Sequence, residues 1–416
     1  MRNLYNISIC FYQFLIRLAS FFNPKAKKWI KGRKGLFDEI KNRLDPEEKV
    51  AWFHCASLGE FEQGRPLIEA FRHNHSDYKI VLTFFSPSGY EIRKDYSGAD
   101  YIFYLPADTS KNAVRFVSLI HPSVAIFIKY EFWYNYLAQL HHEKIPVIMA
   151  SAIFRPGQPF FKWYGTWFRK QLQNIHYFFV QNDDSRKLLL SVGISNVAIS
   201  GDTRFDRVHE IKIRKKSFPL IEKFKDGSQV LVAGSTWPKD EELILSLLNN
   251  PGFSFKLIIA PHEIHETRIR DLVAKTKGKA ARYSNADNEQ LDSYQILIID
   301  TIGILSQLYQ YAFISYIGGG FGKGIHNILE AVTFGIPVIF GPEYKKFDEA
   351  VDLINLKGAF CIHHKEELNN IIHSLVDNPD FYKICSDICT NFVKEKTGAT
   401  QMIMQKIEES VMTKKG

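Results

Sequence analysis

Short apolar runs alternate with stretches in which apolar residues recur every three or four positions. A short apolar run bounded by turn residues is typical of a buried strand, and the longer spacing is typical of an amphipathic helix. The runs are VAWFHC, KIVLTFF, ADYIFYLP, SVAIFI, PVIMASAIF, HYFFVQN and NVAISG, then QVLVAGS, FKLIIAPH, YQILIID, FISYIGGG and IPVIFG. Strand–helix alternation predicts parallel sheets covered by helices on both faces. A long aromatic helix is expected after PVIMASAIF.

A polar, lysine-rich stretch at residues 211–229 separates the two series of predicted strands. We therefore expect an α/β domain at residues 46–220 and a second at residues 221–380, with the linker near residue 220. A chain of 416 residues is long enough for about two domains. The segment 381–416 is expected to be helical and to cross back to the first domain.

The net charge of +8 is confined to the beginning of the chain. Eight basic residues and no acidic residue precede Asp38, which leaves 45 of the 53 basic residues against 45 acidic ones in the remainder. A nucleic-acid-binding protein should carry its excess Lys and Arg on the folded body. The distribution therefore argues against a nucleic-acid partner and favours an anionic membrane surface.

Residues 4–22 carry an apolar stripe with helical spacing, interrupted by four polar residues. Such a helix can lie in the membrane interface while the basic residues of 25–34 contact anionic headgroups, so residues 1–45 are predicted to form a membrane-associated helix and basic arm. Two alternatives stay open. The helix can dock on the protein's own body, or it can form a marginal single span, because 19 residues is close to the ~20 required. A cleaved signal peptide is disfavoured, since the basic cluster follows the apolar run.

The five cysteines are few, odd in number and without a C-x-x-C pair, which suits a reducing compartment. Cys385 and Cys389 lie four residues apart and near His363 and His364 in the sequence. The neighbourhood indicates helix and loop without four converging ligands, so no metal site is predicted.

Two carboxylates of the first domain follow predicted strands. Ser57 and Glu60 have the S-x-x-E spacing of a capping box, but Glu60 also occupies a strand-to-helix turn at the carboxyl edge of the sheet, where open α/β sheets bind ligands. From the spacing alone, Glu60 is either a helix cap or a catalytic base. Glu131 follows another strand, and it is either a second functional carboxylate or a buried structural acid paired with Arg or Lys.

The second domain contains a glycine-rich stretch at residues 317–347. It is not a Walker A loop, because Ile317 stands where Gly is required and Gly324 where Ser or Thr is required. No G-x-G-x-x-G register fits either. The stretch predicts a strand, a glycine-rich loop and a helix that begins near Asn327, whose free N–H groups can bind a phosphate. Glu330 can accept hydrogen bonds from a ribose, although Asn327 to Glu330 can equally be a simple N-cap.

Three further loops follow strands and are candidates for the same cleft. Pro261 and His262 end one strand, Gly303 opens a turn after another, and Arg204 is a cation where a leaving phosphate needs one. Each signal is weak by itself.

Together these motifs resemble the 3-deoxy-D-manno-octulosonic acid (Kdo) transferases, glycosyltransferase family 30. The matching features, in order, are the N-terminal helix, H-x-x-S-x-G-E at 54–60, E-x-W-x-N at 131–135, G-D-x-R-x-D at 201–206, A-P-H at 260–262, D-T-x-G at 300–303 and H-N-x-L-E at 326–330. The resemblance covers nearly the whole chain. It implies an α/β fold of GT-B type, with two Rossmann-like domains facing a central cleft.

The resemblance also implies roles for individual residues. Glu60 matches the general base, and Glu131 and Arg204 match positions that stabilise the transition state. The residues that match the CMP site of the donor are Pro261, His262, Ile302, Gly303, Ile304, Asn327, Ile328, Leu329 and Glu330. The family often has Lys in place of Arg204, and more often Arg in place of His262.

The substrates implied by the resemblance are CMP-Kdo as donor and the lipid A precursor, lipid IVA, as acceptor, with inversion at the anomeric carbon, no cofactor and no metal. The implied location is the cytoplasmic face of the inner membrane, anchored through the N-terminal helix. Two alternatives stay open: another membrane-associated GT-B enzyme, such as a lipid A disaccharide synthase or a UDP-sugar transferase, and a non-catalytic nucleotide-binding adaptor.

Overall fold

The computed structural model describes residues 1–250, 252–286 and 291–412. These residues form two compact units, Met1–Arg207 with Lys396–Gly416, and Val208–Glu395. The last four residues of the predicted helical segment 381–416 lie outside the described residues.

The first unit contains a parallel sheet, which the described residues build from seven strands in the order β3-β2-β1-β4-β5-β6-β7. Its strands are β1 (Lys49–Cys55), β2 (Tyr78–Phe84), β3 (Tyr101–Tyr104), β4 (Pro122–Ile128), β5 (Val147–Ala152), β6 (Tyr177–Val180) and β7 (Val197–Ile199). Its helices are α1 (Arg2–Ala19), α2 (Pro24–Lys31), α3 (Leu36–Arg43), α4 (Leu58–Asn74), α5 (Pro87–Arg93), α6 (Ser110–Ile120), α7 (Tyr134–His142), α8 (Thr166–Leu172) and α9 (Asp183–Ser191).

Both faces of this sheet are covered. Successive residues of a strand point to opposite faces, so Trp52 and Phe53 of β1 enter different clusters of buried side chains. Trp52 packs with Phe116 of α6 and Tyr136 of α7, whereas Phe53 packs with Phe71 of α4. The near-continuous apolar sequence of the strands follows from this two-sided burial.

The second unit contains a second parallel sheet, again of seven strands within the described residues, in the order β10-β11-β9-β8-β12-β13-β14. Its strands are β8 (Val230–Thr236), β9 (Lys256–Pro261), β10 (Ala280–Arg282), β11 (Ile296–Ile298), β12 (Ile314–Ile317), β13 (Val338–Phe340) and β14 (Ala359–Cys361). The remaining helices of the chain are α10 (Thr203–Ile213), α11 (Pro219–Lys225), α12 (Pro238–Ser246), α13 (Glu266–Lys275), α14 (Leu305–Leu308), α15 (Leu329–Val332), α16 (Asp348–Leu356), α17 (Lys365–Asp377), α18 (Pro379–Glu395) and α19 (Ala399–Met412).

The stretch interpreted as a linker is largely helical. The polar residues of 211–229 form the end of α10 and all of α11, and the chain enters the second unit at Val208, earlier than the predicted boundary near residue 220. Ile221 and Phe224 of α11 are fully buried. Two apolar residues three positions apart are enough to dock this short helix, although its other positions are polar.

The predicted long aromatic helix after β5 is replaced by a 3₁₀ turn at Pro159–Phe161 and the short α8. Gly165 lies between them, and a Cβ there would be 2.0 Å from the carbonyl oxygen of Pro159. The chain therefore folds back on itself at Gly165, in a close backbone approach that only glycine permits. This reversal interrupts the helix.

The predicted C-terminal segment is divided between the units. Helix α18 belongs to the second unit, and α19 belongs to the first. Ile403, Met404 and Ile407 of α19 are buried in the cluster that also holds Phe53.

Candidate active site

The first site lies where the strand order of the first unit reverses, between β1 and β4. In an open parallel sheet, the loops after these two strands diverge and leave a crevice at the carboxyl edge. Glu60 follows β1 and Glu131 follows β4, so both carboxylates lie at this point. Cys55, at the end of β1, is fully buried, and burial, followed by Glu60 and Glu131, raises the pKa of its thiol.

Glu60 is half-buried in the first turn of α4 and accepts a hydrogen bond from the Ser57 hydroxyl. Among the described contacts, the Ser57 side chain makes no hydrogen bond to a backbone N–H of the helix. The predicted capping box, in which serine and glutamate each bind a backbone N–H, is therefore wrong in this form. The two side chains bind each other, and the Glu60 carboxylate is held by a hydroxyl that can rotate away.

Glu131 is only 8% exposed, and its contacts come from aromatic residues. The indole N–H of Trp133 donates to Glu131 Oε2 at 2.7 Å and also approaches His54 Nε2 at 3.2 Å. His54 Nε2 lies 3.6 Å from Glu131 Oε2, and its other ring nitrogen bonds Thr83 at 2.8 Å. These contacts involve Oε2, and none of them comes from the Arg or Lys that the structural interpretation of Glu131 required. They form a fixed polar network at the edge of the sheet.

Arg204 lies at the start of α10 and is bound by Asp202. Its Nε donates to Asp202 Oδ2 at 2.8 Å, and its backbone N–H donates to Asp202 Oδ1 at 2.9 Å. The amide of Gln63, on the same helix as Glu60, donates to both Asp202 oxygens at 3.1 Å. Asp202 therefore links the helix of Glu60 to Arg204 within one unit.

The last aspartate of the G-D-x-R-x-D motif has a structural role. Asp206 accepts hydrogen bonds from the backbone N–H of Gly398 at 2.6 Å and of Thr400 at 2.7 Å. These are the N–H groups at the start of α19, so Asp206 attaches the returning C-terminal helix to the first unit.

The second site lies at the reversal of strand order in the second unit, between β8 and β12. A Cβ on Gly318 would lie 2.3 Å from the carbonyl oxygen of Ser235, and one on Gly320 would lie 2.5 Å from the backbone nitrogen of Gly341. The glycine-rich loop after β12 therefore packs backbone to backbone against its neighbours, which only glycine permits.

A buried carboxylate fixes this loop. Asp240 accepts hydrogen bonds from the Tyr316 hydroxyl at 2.8 Å, from the N–H of Gly319 at 3.0 Å and from the N–H of Trp237 at 2.8 Å. It connects the end of β8 to the loop after β12. Neither Asp240 nor Trp237 belongs to a motif recognised in the sequence; the available signal was their position within five residues of the end of a predicted strand.

Three stacked rings bring the candidate donor loops into contact. His262 stacks between Trp237, at 4.9 Å, and His326, at 4.3 Å between ring centroids. The Trp237 indole N–H donates to His326 Nε2 at 3.2 Å. Burial, together with the nearby His262, lowers the pKa of His326 to about 4, so His326 is neutral at pH 7. Pro261 immediately precedes His262 at the end of β9.

The predicted helix near Asn327 is much shorter than expected. Asn327 Oδ1 accepts a hydrogen bond from the N–H of Leu329 at 3.2 Å, and its amide donates to Glu330 at 3.2 Å. Helix α15, which follows, has only four residues. One turn carries little macrodipole, so a phosphate here would depend on the free N–H groups alone, and its binding stays a prediction. The chain turns away at Gly335, whose φ is +78°.

The third predicted donor loop follows β11. Ile302 is 86% exposed, and Gly303 has a φ of +92° that favours glycine. Asp300 is bound by Arg282 at 2.9 Å. Burial opposes ionisation of Asp300, but hydrogen bonds from Ser284 and Arg282 outweigh it and lower its pKa. Asp300 therefore fixes the loop, while Ile302, Gly303 and the following Ile304 lie at the same carboxyl edge as His262.

The N-terminal helix α1 docks through one face only. Tyr5 donates to Asp108 at 2.5 Å, and Asn135 donates to Asn6 at 3.0 Å. The exposed side chains of its other face are Leu4, Ile7, Phe11, Phe14, Leu15 and Leu18. None of the helices formed by the described residues combines the length and the apolar character that crossing a bilayer requires.

Groups of three or more His, Cys, Asp or Glu side chains suited to a metal ion do not occur among residues 1–250, 252–286 and 291–412. Cys385 and Cys389 are buried thiols, and Cys389 donates to the carbonyl oxygen of Gly358 at 3.3 Å.

Residues 29–207 match the family model described as 3-Deoxy-D-manno-octulosonic-acid transferase (kdotransferase). A bifunctional glycosyltransferase/methyltransferase of Fusobacterium nucleatum is 26% identical over 409 residues, 94% of this chain and 62% of that protein. A 3-deoxy-D-manno-octulosonic acid transferase of Haemophilus influenzae is 25% identical over 410 residues, 95% of this chain and 93% of that protein.

Among solved structures, the UDP-GlcNAc 2-epimerase of Neisseria meningitidis aligns with a TM-score of 0.59 at 16% identity, over 87% of this chain and all of that one. At this identity the likeness concerns the fold alone. The two parallel-sheet units, with polar residues gathered at the carboxyl edge of each, define a two-domain α/β protein with GT-B-like neighbours. Within that class, residues 29–207 match the 3-deoxy-D-manno-octulosonic acid transferase model, and the chain is similar over most of its length to transferases of that name.

Proposed function

We propose that the protein is an inverting glycosyltransferase that transfers Kdo from CMP-Kdo to a lipid A precursor in lipopolysaccharide core biosynthesis. Similarity to 3-deoxy-D-manno-octulosonic acid transferases supports the reaction class. The observation that carries the proposal is the position of Glu60 and Glu131 at the strand-order reversal of the first unit, with the helix of Glu60 tied to Arg204 through Gln63 and Asp202.

In the proposed reaction, Glu60 accepts the proton of an acceptor hydroxyl as the hydroxyl oxygen attacks the anomeric carbon of Kdo. The new C–O bond forms on one face while the bond to the CMP phosphate breaks on the other, which inverts the configuration. Ser57 holds the Glu60 carboxylate before substrate binds and releases it when the acceptor hydroxyl takes its place. Glu131, fixed by Trp133 and His54, offsets the positive charge that develops on the sugar ring.

We propose that CMP departs with its charge offset by Arg204 and by backbone N–H groups of the glycine-rich loop. The donor nucleotide contacts Pro261, His262, the loop at 302–304 and the segment 327–330. His262 contacts His326, which directly precedes the segment 327–330. This contact supports a shared site for His262 and that segment. Ile302 offers an exposed apolar surface that a nucleobase can cover.

We further propose that α1 lies in the cytoplasmic face of the inner membrane. Its docked face mixes Tyr5, Asn6 and Gln13 with Ile9 and Ile16, whereas its exposed stripe is aliphatic and aromatic and precedes the basic residues of 25–34. This division supports insertion of one face into the lipid boundary, with the basic residues against anionic headgroups.

The decisive experiment supplies purified protein with CMP-Kdo, generated in place, and a tetraacylated lipid A precursor in the presence of EDTA. Mass spectrometry follows the lipid. We expect the wild type and Glu62→Gln to add Kdo, and Glu60→Gln to lose at least 100-fold in rate, since general base catalysis contributes about 10²–10⁴-fold. Glu62 is the matched control because it lies on the same helix and pairs with Arg93.

Three outcomes would contradict parts of the proposal. Equal rates for Glu60→Gln and wild type would return Glu60 to a structural role. Transfer abolished by EDTA alone would contradict metal independence. Thermal protection by UDP and not by CMP would favour a different nucleotide-sugar transferase.

A further inference from the structure

A cavity of about 310 Å³ lies among α1, α2 and α3 in the first unit. Three of its lining residues are cations, Arg17, Arg33 and Lys34, and the lining includes no acidic residue. Gln13 and Asn112 add hydrogen-bonding groups. The catalytic residues proposed above do not line this cavity.

Arg33 is fixed in the wall of the cavity by neutral partners. Its guanidinium donates to the carbonyl oxygens of Leu105 and Phe85 at 2.8 Å and of Trp29 at 3.0 Å, and it stacks 3.8 Å from the Trp29 ring centre. These bonds use three of its five N–H groups. Burial lowers the pKa of Arg33 to about 9, which still leaves it charged at neutral pH. A half-buried cation with neutral partners attracts an anion strongly, because little solvent screens it.

The cavity also adjoins the lipid-facing side of the unit. Gln13 and Arg17 are one turn apart on α1, and the exposed Phe14 and Leu18 follow them directly in the sequence. A ligand whose charged group occupies the cavity can therefore leave an apolar part along the exposed stripe. This combination fits an amphiphile and not a free anion.

We propose that this cavity binds a phosphate monoester of the acceptor lipid through Arg17, Arg33 and Lys34. The inference rests on the proposed function, which supplies a phosphorylated glycolipid as acceptor. A phosphate monoester carries about −1.5 to −2 charges at pH 7 and matches the donors of a guanidinium. The volume is at the lower end for small-ligand sites, so it suits the phosphate and the sugar that bears it.

The test compares Arg17→Gln/Lys34→Gln with Lys27→Gln/Lys31→Gln. The first pair removes one positive charge from α1 and one from the turn after α2, and the second pair removes two from α2. Lys27 and Lys31 are exposed and do not line the cavity. Arg33 is left intact because its bonds hold the fold. Steady-state kinetics are measured with the bisphosphorylated acceptor and with the same acceptor after phosphatase treatment.

We expect the cavity variant to raise the KM for the bisphosphorylated acceptor about 10- to 100-fold, the range for lost hydrogen bonds to charged groups, with little change in kcat. The KM for the dephosphorylated acceptor should change less than twofold. The control variant should change the KM for the two acceptors by the same factor, since Lys27 and Lys31 belong to the membrane-facing arm but do not line the cavity. Binding to anionic phospholipid vesicles without acceptor should weaken equally in both variants.

Two results would overturn the inference. An equal rise in KM for both acceptors would show that phosphate is not what the cavity recognises. A loss of vesicle binding larger than in the control would assign the cavity to membrane phospholipid. Direct binding of labelled acceptor in detergent micelles keeps the inference testable if the wild type transfers no sugar, since that result concerns the proposed function alone.

Discussion

The two candidate sites occupy the same topological position but are built differently. In the first unit, polar side chains at the strand-order reversal bind one another, as Ser57 binds Glu60 and Trp133 binds Glu131. In the second unit, the loop after β12 approaches its neighbours through glycine backbone, and a single carboxylate, Asp240, fixes it.

The difference matches two kinds of chemistry. A reacting centre needs charges at fixed positions, and side-chain hydrogen bonds provide them. A nucleotide site needs backbone that a phosphate can approach closely, and glycine provides that. Substitutions that remove charge should therefore affect mainly turnover in the first unit, whereas added volume should affect mainly the fold of the second.

After Glu60→Gln, the largest effect is expected for Glu131→Gln. Glutamine keeps an oxygen that can accept from Trp133, so the fold should persist, but the negative charge proposed to stabilise the reacting sugar is lost. We expect kcat to fall about 10²–10³-fold, equivalent to about 3–4 kcal/mol. Glu143→Gln, an exposed residue at the end of α7, serves as the control. A matching drop in melting temperature without a change in kcat would make Glu131 structural.

Added side-chain volume in the glycine-rich loop should destabilise the second unit. Gly318→Ala places a Cβ 2.3 Å from the Ser235 carbonyl oxygen and should destabilise the second unit by about 3 kcal/mol. Gly322→Ala is the control, because its Cβ would lie 3.6 Å from the Gly319 oxygen, an ordinary contact. Thermal denaturation of both variants measures the effect. Similar melting temperatures for the two would mean that the loop relaxes, and the proposed contrast between the units would fail.

The sequence predicted β1 to β9 and β11 to β13, including the edges β3 and β7 of the first sheet, but missed β10 and β14. Both are three residues long and lie at the two edges of the second sheet. An edge strand is covered less than a central one, so it needs no long apolar run, and the periodicity signal is lost.

The sequence predicted which loops carry the candidate residues, but it did not predict the contacts between their side chains. Motifs at strand ends identified Glu60, Glu131 and His262 because parallel strands deliver their following residues to one edge. Pairings across distant segments, such as Gln63 with Asp202, depend on how helices pack on the sheet. Only the position of Gln63, three residues after Glu60 on the same helix, was an available signal.

A smaller effect is expected for Asp202→Asn in the first unit. The amide loses the charge that holds Arg204 and turns an N–H₂ group toward the donors of Arg204 or Gln63. The activation free energy of sugar transfer should rise by about 2 kcal/mol, the range for a hydrogen bond to a charged group. A double-mutant cycle with Arg204→Gln measures the coupling. Additive losses in the cycle would show that Asp202 does not act through Arg204.

The smallest effect concerns His326 and the pH dependence of the second unit. Its folded pKa of about 4 lies below the ordinary value of 6.5, so between these values the unfolded chain binds a proton that the folded chain does not. Stability should therefore be full above pH 6.5 and decline as pH falls to about 4. The ring is partly solvated, so we expect a loss of about 1–2 kcal/mol after allowance for screening.

Melting temperatures between pH 4 and 7 test this dependence in the wild type, His326→Gln and the control His373→Gln, an exposed residue of α17. We expect the slope to decrease in His326→Gln and to persist in His373→Gln. If the slope is the same in all three proteins, the stacked rings of Trp237, His262 and His326 are not the source of acid sensitivity. A decrease limited to His326→Gln would show that the second unit, otherwise built from backbone contacts, also depends on one neutral side chain.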